Sequence, residues 1–198
     1  GIYVHIPFCK QKCKYCDFVS VSNKEEQMEQ YVEMLIKEIN KFDFTNYNVT
    51  TVYIGGGTPS YIDSKMIVRV IEKVKECFKI SDKVEITIEI NPGTITKEKL
   101  LDYKLCNINR ISMGCQAIQD DLLEMLGRIH NYKEFLDSYK LIKEVGFENI
   151  NIDLMLGLPK QKIKDIENSV SEVLKLNPNH ISVYSLIVEE GTVIAEKI

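Results

Sequence analysis

Six strand-like runs alternate with helix-like runs along this chain, and that alternation limits its fold more than any other feature. The strand-like runs are residues 2–6, 51–54, 84–90, 110–113, 150–154 and 180–186. Between the first two, Met28, Tyr31, Val32, Leu35, Ile36 and Ile39 recur at helical spacing. A capping box over Ser22-Asn23-Lys24-Glu25 is expected to start that helix. Ile67, Val70, Ile71, Val74 and Phe78 mark a second helix, and residues 97–104 a short third. The fourth connection holds two pieces, 120–126 and 133–145, the latter stopped by Gly146. Ile163, Ile166, Val170, Val173 and Leu174 mark the fifth, which ends before Pro178. Strand–helix alternation implies a parallel sheet, so the fold class is α/β. A closed eight-fold barrel needs about 250 residues. Six units in 198 residues therefore fit a partial (β/α)6 barrel with helices outside, or a doubly wound open sheet.

The strand faces carry a second signal. Parallel strands buried on both sides read as unbroken Val, Ile and Leu. These strands alternate instead: Tyr3 and His5, then Glu85, Thr87 and Glu89, then Arg110, Ser112, Gly114 and Gln116. Asn151, Asp153, Ser182 and Tyr184 continue the polar parity. One sheet face is thus polar and its opposite apolar. A wet lumen holding a polar ligand explains this; an uncovered solvent face is the plainer alternative.

Composition is that of an ordinary globular chain, 44% hydrophobic and 27% charged. A net charge of -4 gives no general attraction to nucleic acid or anionic lipid. No apolar run approaches the ~20 residues needed to span a bilayer. The expectation is a cytoplasmic protein, with residues 1–198 forming one core domain of a longer chain. Three of the six cysteines fall within eight residues, and Cys77, Cys106 and Cys115 lie singly in helix-like or strand-like segments. That distribution suits reduced thiols, some ligating a metal, better than a disulfide framework.

The clustered thiols are Cys9, Cys13 and Cys16, directly after strand one, at the strand end where α/β proteins place their sites. A helix would spread Cys9 and Cys16 over about 10 Å, so a loop wrapped round the metal is expected. Soft thiolates suit iron–sulfur or zinc. Three thiolates on a cubane leave one iron open, as a metal catalyst requires. With His5 as fourth ligand, a structural Cys3His zinc site is the alternative.

The spacing C-x3-C-x2-C and its flanks resemble the radical S-adenosylmethionine proteins. Tyr3-Val4-His5-Ile6-Pro7-Phe8-Cys9, Gly55-Gly56-Gly57-Thr58-Pro59-Ser60, Glu89-Ile90-Asn91-Pro92, Arg110-Ile111-Ser112-Met113-Gly114-Cys115-Gln116, Leu126-Gly127-Arg128-Ile129-His130 and Asp153-Leu154-Met155-Leu156-Gly157-Leu158-Pro159 are similar to the oxygen-independent coproporphyrinogen III oxidase-like family. They occur in that family's order, across nearly the entire chain. The resemblance implies a partial (β/α)6 radical S-adenosylmethionine barrel. It implies a 4Fe-4S cluster on Cys9, Cys13 and Cys16. It implies S-adenosylmethionine contacts at Tyr15, Gly56, Gly57, Thr58, Glu89, Gln116, Arg128 and Asp153, with Tyr3 and Ile187 at weaker positions. The glycines are expected to bring backbone to the methionine ammonium and carboxylate. His5 and His130 match without a role.

One position departs. The authentic oxidases carry a further cysteine two residues after the third, where this chain has Phe18. The Cys16-Asp17-Phe18 form resembles the branch described as heme chaperones, which implies heme as a further ligand, an apo-hemoprotein acceptor and an electron donor. Radical chemistry is implied by the cluster; the oxidative decarboxylation of coproporphyrinogen is put in question by Phe18.

Overall fold

The computed structural model describes residues 1–41 and 44–197. Its main sheet contains β1 (Ile2–Ile6), β4 (Phe44–Gly56), β5 (Phe78–Ile90), β6 (Arg110–Gln116), β7 (Asn149–Leu156) and β8 (His180–Ser185). Two short strands, β2 (Phe8–Cys9) and β3 (Val21–Ser22), pair separately. The helices are α1 (Met28–Ile39), α2 (Ser64–Cys77), α3 (Lys97–Leu105), α4 (Asp120–Met125), α5 (Tyr132–Val145) and α6 (Ile163–Lys175).

The sheet runs β1-β4-β5-β6-β7-β8, each strand parallel to the next. Neighbours in sequence are thus neighbours in space, with no reversal. A doubly wound sheet would reverse its order part-way, so this is the partial (β/α)6 barrel.

Register explains the two faces. Tyr3 lies beside Tyr53, Tyr53 beside Thr87, and Thr87 beside Arg110. Glu89 lies beside Ser112, and Ser112 beside Asn151. The polar residues of successive strands therefore share one face. The other parity is the core: Val4, Ile6, Val52, Ile54, Ile86, Ile88, Ile111, Met113, Ile150 and Ile152 are all buried. They meet Val32, Ile67, Val70, Ile71, Val74, Leu100, Phe135, Ile142 and Val173 from the helices. Burying each such side chain contributes roughly 1.5–3 kcal/mol. A smaller cluster of Ala117, Leu122, Leu123, Leu126, Met155, Leu158 and Ile194 packs under the cysteine loop and supports Tyr15.

Two local expectations change. The capping box at Ser22 does not form, because Ser22 pairs in β3 and Asn23 takes a positive φ of 55°. A short 3-10 turn, Glu25–Gln27, leads into α1 instead, with no side-chain cap on either. A true capping box starts α5, where Asn131 accepts from Glu134 N and Glu134 accepts from Asn131 N. β4 and β5 also begin earlier than the apolar runs suggest, and α2 passes directly into β5. Gly146 does cap α5 in the left-handed region, at φ 90°.

Candidate functional site

All six main strands point their C-terminal ends at one rim, and the cysteine segment lies across it. The segment is pinned at several backbone points. Gly57 N donates to Ile6 O and Thr58 N to Phe8 O, each at 2.8 Å, while Val21 N donates to Pro7 O at 2.8 Å. Lys14 N donates to Leu126 O, and Ile194 N to Lys14 O, each at 2.9 Å. Between these pins, Cys9, Cys13 and Cys16 line one hollow. Cys9 is buried; Cys13 and Cys16 are half-buried; all are free thiols. Burial pushes the Cys9 thiol up, the other two cysteines add to this, and a hydrogen bond from Thr58 opposes it.

The same hollow is walled by Tyr15, Gly56, Gly57, Thr58, Glu89, Gln116, Arg128 and Asp153. The structure thus brings together Cys9, Cys13, Cys16 and all eight of the stronger expected contacts. It places Tyr3 and Ile187 elsewhere. Tyr3 is exposed and bonded through its hydroxyl to His5 Nδ1 at 3.1 Å, and Ile187 is exposed in the segment after β8. His5 Nε2 lies 2.8 Å from Val19 O, tying β1 to the cysteine loop rather than to the thiols. Cys106 and Cys115 are core residues, and Cys77 is half-buried at the end of α2.

Two carboxylates sit in the wall, each held by hydrogen bonds from within the protein. Glu89 accepts from Tyr53 Oη at 2.7 Å and from Gly56 N at 3.1 Å. Burial nevertheless holds its carboxyl above the ordinary range, and the nearby Asp153 adds to the rise. Asp153 accepts from Asn151 Nδ2 at 2.7 Å and from Ser112 Oγ at 3.4 Å, and burial raises it too. Two half-buried acids on neighbouring parts of the rim, both raised by burial, form a wall that favours an incoming positive centre.

Arg128 is the cation among the residues that wall the hollow. Burial works against its charge, but Tyr15, Cys13 and Tyr184 around it more than offset that. Its Nη2 donates to Asn91 Oδ1 at 2.6 Å and to Gly114 O at 3.0 Å; its Nη1 donates to Cys13 Sγ at 3.6 Å. Gln116 stands where β6 slips register against β7, in the left-handed region at φ 69°. Such strain in a non-glycine residue needs surrounding structure to hold it. Its Oε1 accepts from Tyr184 Oη at 2.8 Å.

The glycine loop differs from expectation in one respect. Gly56 N donates to Glu89, Gly57 N to Ile6 O and Thr58 N to Phe8 O. All three N–H groups are engaged within the protein, so a carboxylate gains no donor from them. Close approach still requires glycine here. A Cβ at Gly57 would stand 2.8 Å from Pro7 C, and one at Gly56, with φ +113°, would stand 2.5 Å from the His5 ring.

Sequence reading missed the roles of Asn91 and Tyr184 in the wall, and of Tyr53, which does not line the hollow but donates its hydroxyl to Glu89. Tyr53 shares the polar parity of its neighbours by register, and Asn91 lies two residues beyond Glu89. Parity extended past the strand end would have found Asn91. Nothing local marks Tyr184 as the partner of Gln116.

A family model described as the Radical SAM superfamily matches residues 3–173. The chain belongs to that superfamily. Membership implies a 4Fe-4S cluster and S-adenosylmethionine. Heme chaperone HemW of Bacillus subtilis is 41% identical over 194 residues, covering 96% of this chain and 51% of that protein. Heme chaperone HemW of Haemophilus influenzae is 38% identical over 202 residues, covering 98% and 53%. Coproporphyrinogen III oxidase (HemN) from Escherichia coli, described as a Radical SAM enzyme, superposes with a TM-score of 0.90 at 30% identity. That match covers 99% of this chain and 46% of that one. The radical SAM chain spans about half the length of the curated relatives it matches. The family and branch expected from the motifs and from Phe18 agree with these relatives. No helix of the described residues is long and apolar enough to cross a membrane.

Proposed function

We propose that Cys9, Cys13 and Cys16 hold the 4Fe-4S cluster, that the hollow beside them holds S-adenosylmethionine, and that the protein receives heme and passes it to an apo-hemoprotein. The observation that carries the first two parts is the convergence of three free thiols with Glu89, Gln116, Arg128 and Asp153 on one hollow. The donor set fits. Among the described residues, no three His, Cys, Asp or Glu side chains converge as a single-ion site. Thiols spread round a hollow suit a group with several irons, each meeting its own cysteine. His5 does not supply a fourth ligand to a zinc ion, because its ring nitrogens face Tyr3 and Val19.

Reductive cleavage of a sulfonium carbon–sulfur bond is the chemistry this cofactor pair supplies when bound. The chain's own residues orient and isolate. Glu89 and Asp153 present negative charge to the cationic cofactor. Gln116, fixed by Tyr184, offers its amide to polar groups. Arg128 holds the loop after β5 against the cysteine segment. Tyr15, half-buried against the smaller apolar cluster, covers one side of the hollow.

The heme part rests on the relatives named heme chaperones and on Phe18. Such a protein calls for an electron donor and an acceptor, and a cytoplasmic setting suits its free thiols. The second reading is coproporphyrinogen oxidation, favoured by the 0.90 TM-score to the Escherichia coli oxidase.

Anaerobic reconstitution with iron and sulfide, followed by EPR of the reduced protein with and without S-adenosylmethionine, tests the cofactor reading. A spectrum that changes on adding S-adenosylmethionine is expected. Binding of zinc alone, or a cluster retained in Cys9→Ala, overturns it. Heme titration and coproporphyrinogen turnover of the intact protein separate the chaperone from the oxidase.

A further inference from the structure

An unbroken chain of hydrogen bonds joins two of the three thiols through one amide. Thr58 Oγ1 donates to Cys9 Sγ at 3.5 Å. Asn91 Nδ2 donates to Thr58 Oγ1 at 3.0 Å. Arg128 Nη2 donates to Asn91 Oδ1 at 2.6 Å, and Arg128 Nη1 donates to Cys13 Sγ at 3.6 Å. Among the described residues, no such donor reaches Cys16 Sγ.

The directions in this chain are forced by chemistry. A guanidinium has donors only, so the amide must turn its oxygen to Arg128. The amide NH2 then faces Thr58, whose oxygen must accept. A hydroxyl has a single hydrogen, and with its oxygen accepting from Asn91 that hydrogen is directed to the sulfur of Cys9. Asn91 itself is fixed at its backbone. Its N–H donates to Ser60 Oγ at 3.2 Å, its C=O accepts from Thr94 Oγ1 at 2.7 Å, and Pro92 follows it. The residue before a proline is held to extended conformations.

We propose that Asn91 is a positioning residue that aims the Thr58 hydroxyl at Cys9 and the Arg128 guanidinium at Cys13, and thereby raises the reduction potential of the cluster. The inference rests on the cofactor reading above. Hydrogen bonds to ligating sulfur withdraw negative charge, which favours the more negative, reduced cluster and raises its potential. Two thiolates out of three receive such a donor, and one amide controls both.

Redox titration of the reconstituted intact protein, followed by EPR, tests this. The variants are Asn91→Asp, Thr58→Val and the two combined. In Asn91→Asp the carboxylate accepts from both Arg128 and Thr58, so the Thr58 hydrogen leaves Cys9. The midpoint potential is expected to move to more negative values, and adding Thr58→Val is expected to move it no further. In the wild-type background Thr58→Val alone is expected to lower the potential. Equal shifts from Thr58→Val with and without Asn91→Asp overturn the proposal, because Asn91 then does not act through Thr58. So does an Asn91→Asp protein of full iron content with the wild-type potential. If Asn91→Asp fails to load, Asn91→Ser with and without Thr58→Val carries the same comparison. Failure of the wild-type protein to bind a cluster overturns the cofactor reading itself, a separate outcome.

Discussion

Glu89 on β5 reaches the adjacent strand and accepts from the backbone N–H of Gly56 at 3.1 Å, where the chain leaves β4. The acid thus holds the glycine loop against the rim while facing the hollow. Its cost is electrostatic: burial raises its carboxyl above the ordinary carboxylate range. A native acid that keeps its proton longer than the unfolded chain does loses stability as pH rises from the unfolded value through the folded one. Cofactor-free Glu89→Gln is therefore expected to be more stable than wild type above that window, with a flatter dependence on pH. Denaturant unfolding between pH 4 and 8 checks this. S-adenosylmethionine, a cation, is expected to reduce the wild-type slope and to bind Glu89→Gln more weakly.

Gly57 has backbone, not flexible side chain, where a Cβ would go. Moving Pro7 and Phe8 disturbs the entry to the cysteine loop. Gly57→Ala is expected to cost about 1–3 kcal/mol by overpacking and to lower iron content after reconstitution. Thermal unfolding and iron analysis read the two effects.

Arg128 meets Asn91, Gly114 and Cys13 at once because its guanidinium is a planar fork. A lysine keeps the charge with one nitrogen. Arg128→Lys is expected to fold, to lose about 1–3 kcal/mol from unsatisfied buried partners, and to bind S-adenosylmethionine about tenfold more weakly. Equilibrium dialysis and denaturant unfolding measure these.

The Tyr103 hydroxyl is buried with no hydrogen-bond partner among the described residues, although the ring belongs to the same core cluster as Leu100. Removing the hydroxyl keeps the packing and ends the desolvation cost. Tyr103→Phe is expected to be neutral or to stabilise by about 1 kcal/mol. Denaturant unfolding is the check, and a clear loss of stability would contradict it.

Local periodicity makes the α/β class, the six units, the polar sheet face and the cysteine loop legible in the chain itself. These features depend on neighbours three or four residues apart in a helix, or two apart in a strand. The Ser22 capping box failed for the opposite reason: the pairing of β3 with β2 overrode a local helix signal. Tyr3 matched a family position, yet register places its side chain by His5 and Tyr53, outside the hollow.

By itself, then, the sequence determined that three thiols share one loop after a first strand and that acids line one parity of the strands that follow. Only the tertiary structure decided that the strands lie in sequential order, that the loop's N–H groups are spent on Ile6, Phe8 and Glu89, and that Asn91 links Thr58 to Arg128. Those relations join residues tens of positions apart through sheet register and curvature. No short-range pattern encodes them, because they exist only once the core between sheet and helices has set the strands side by side.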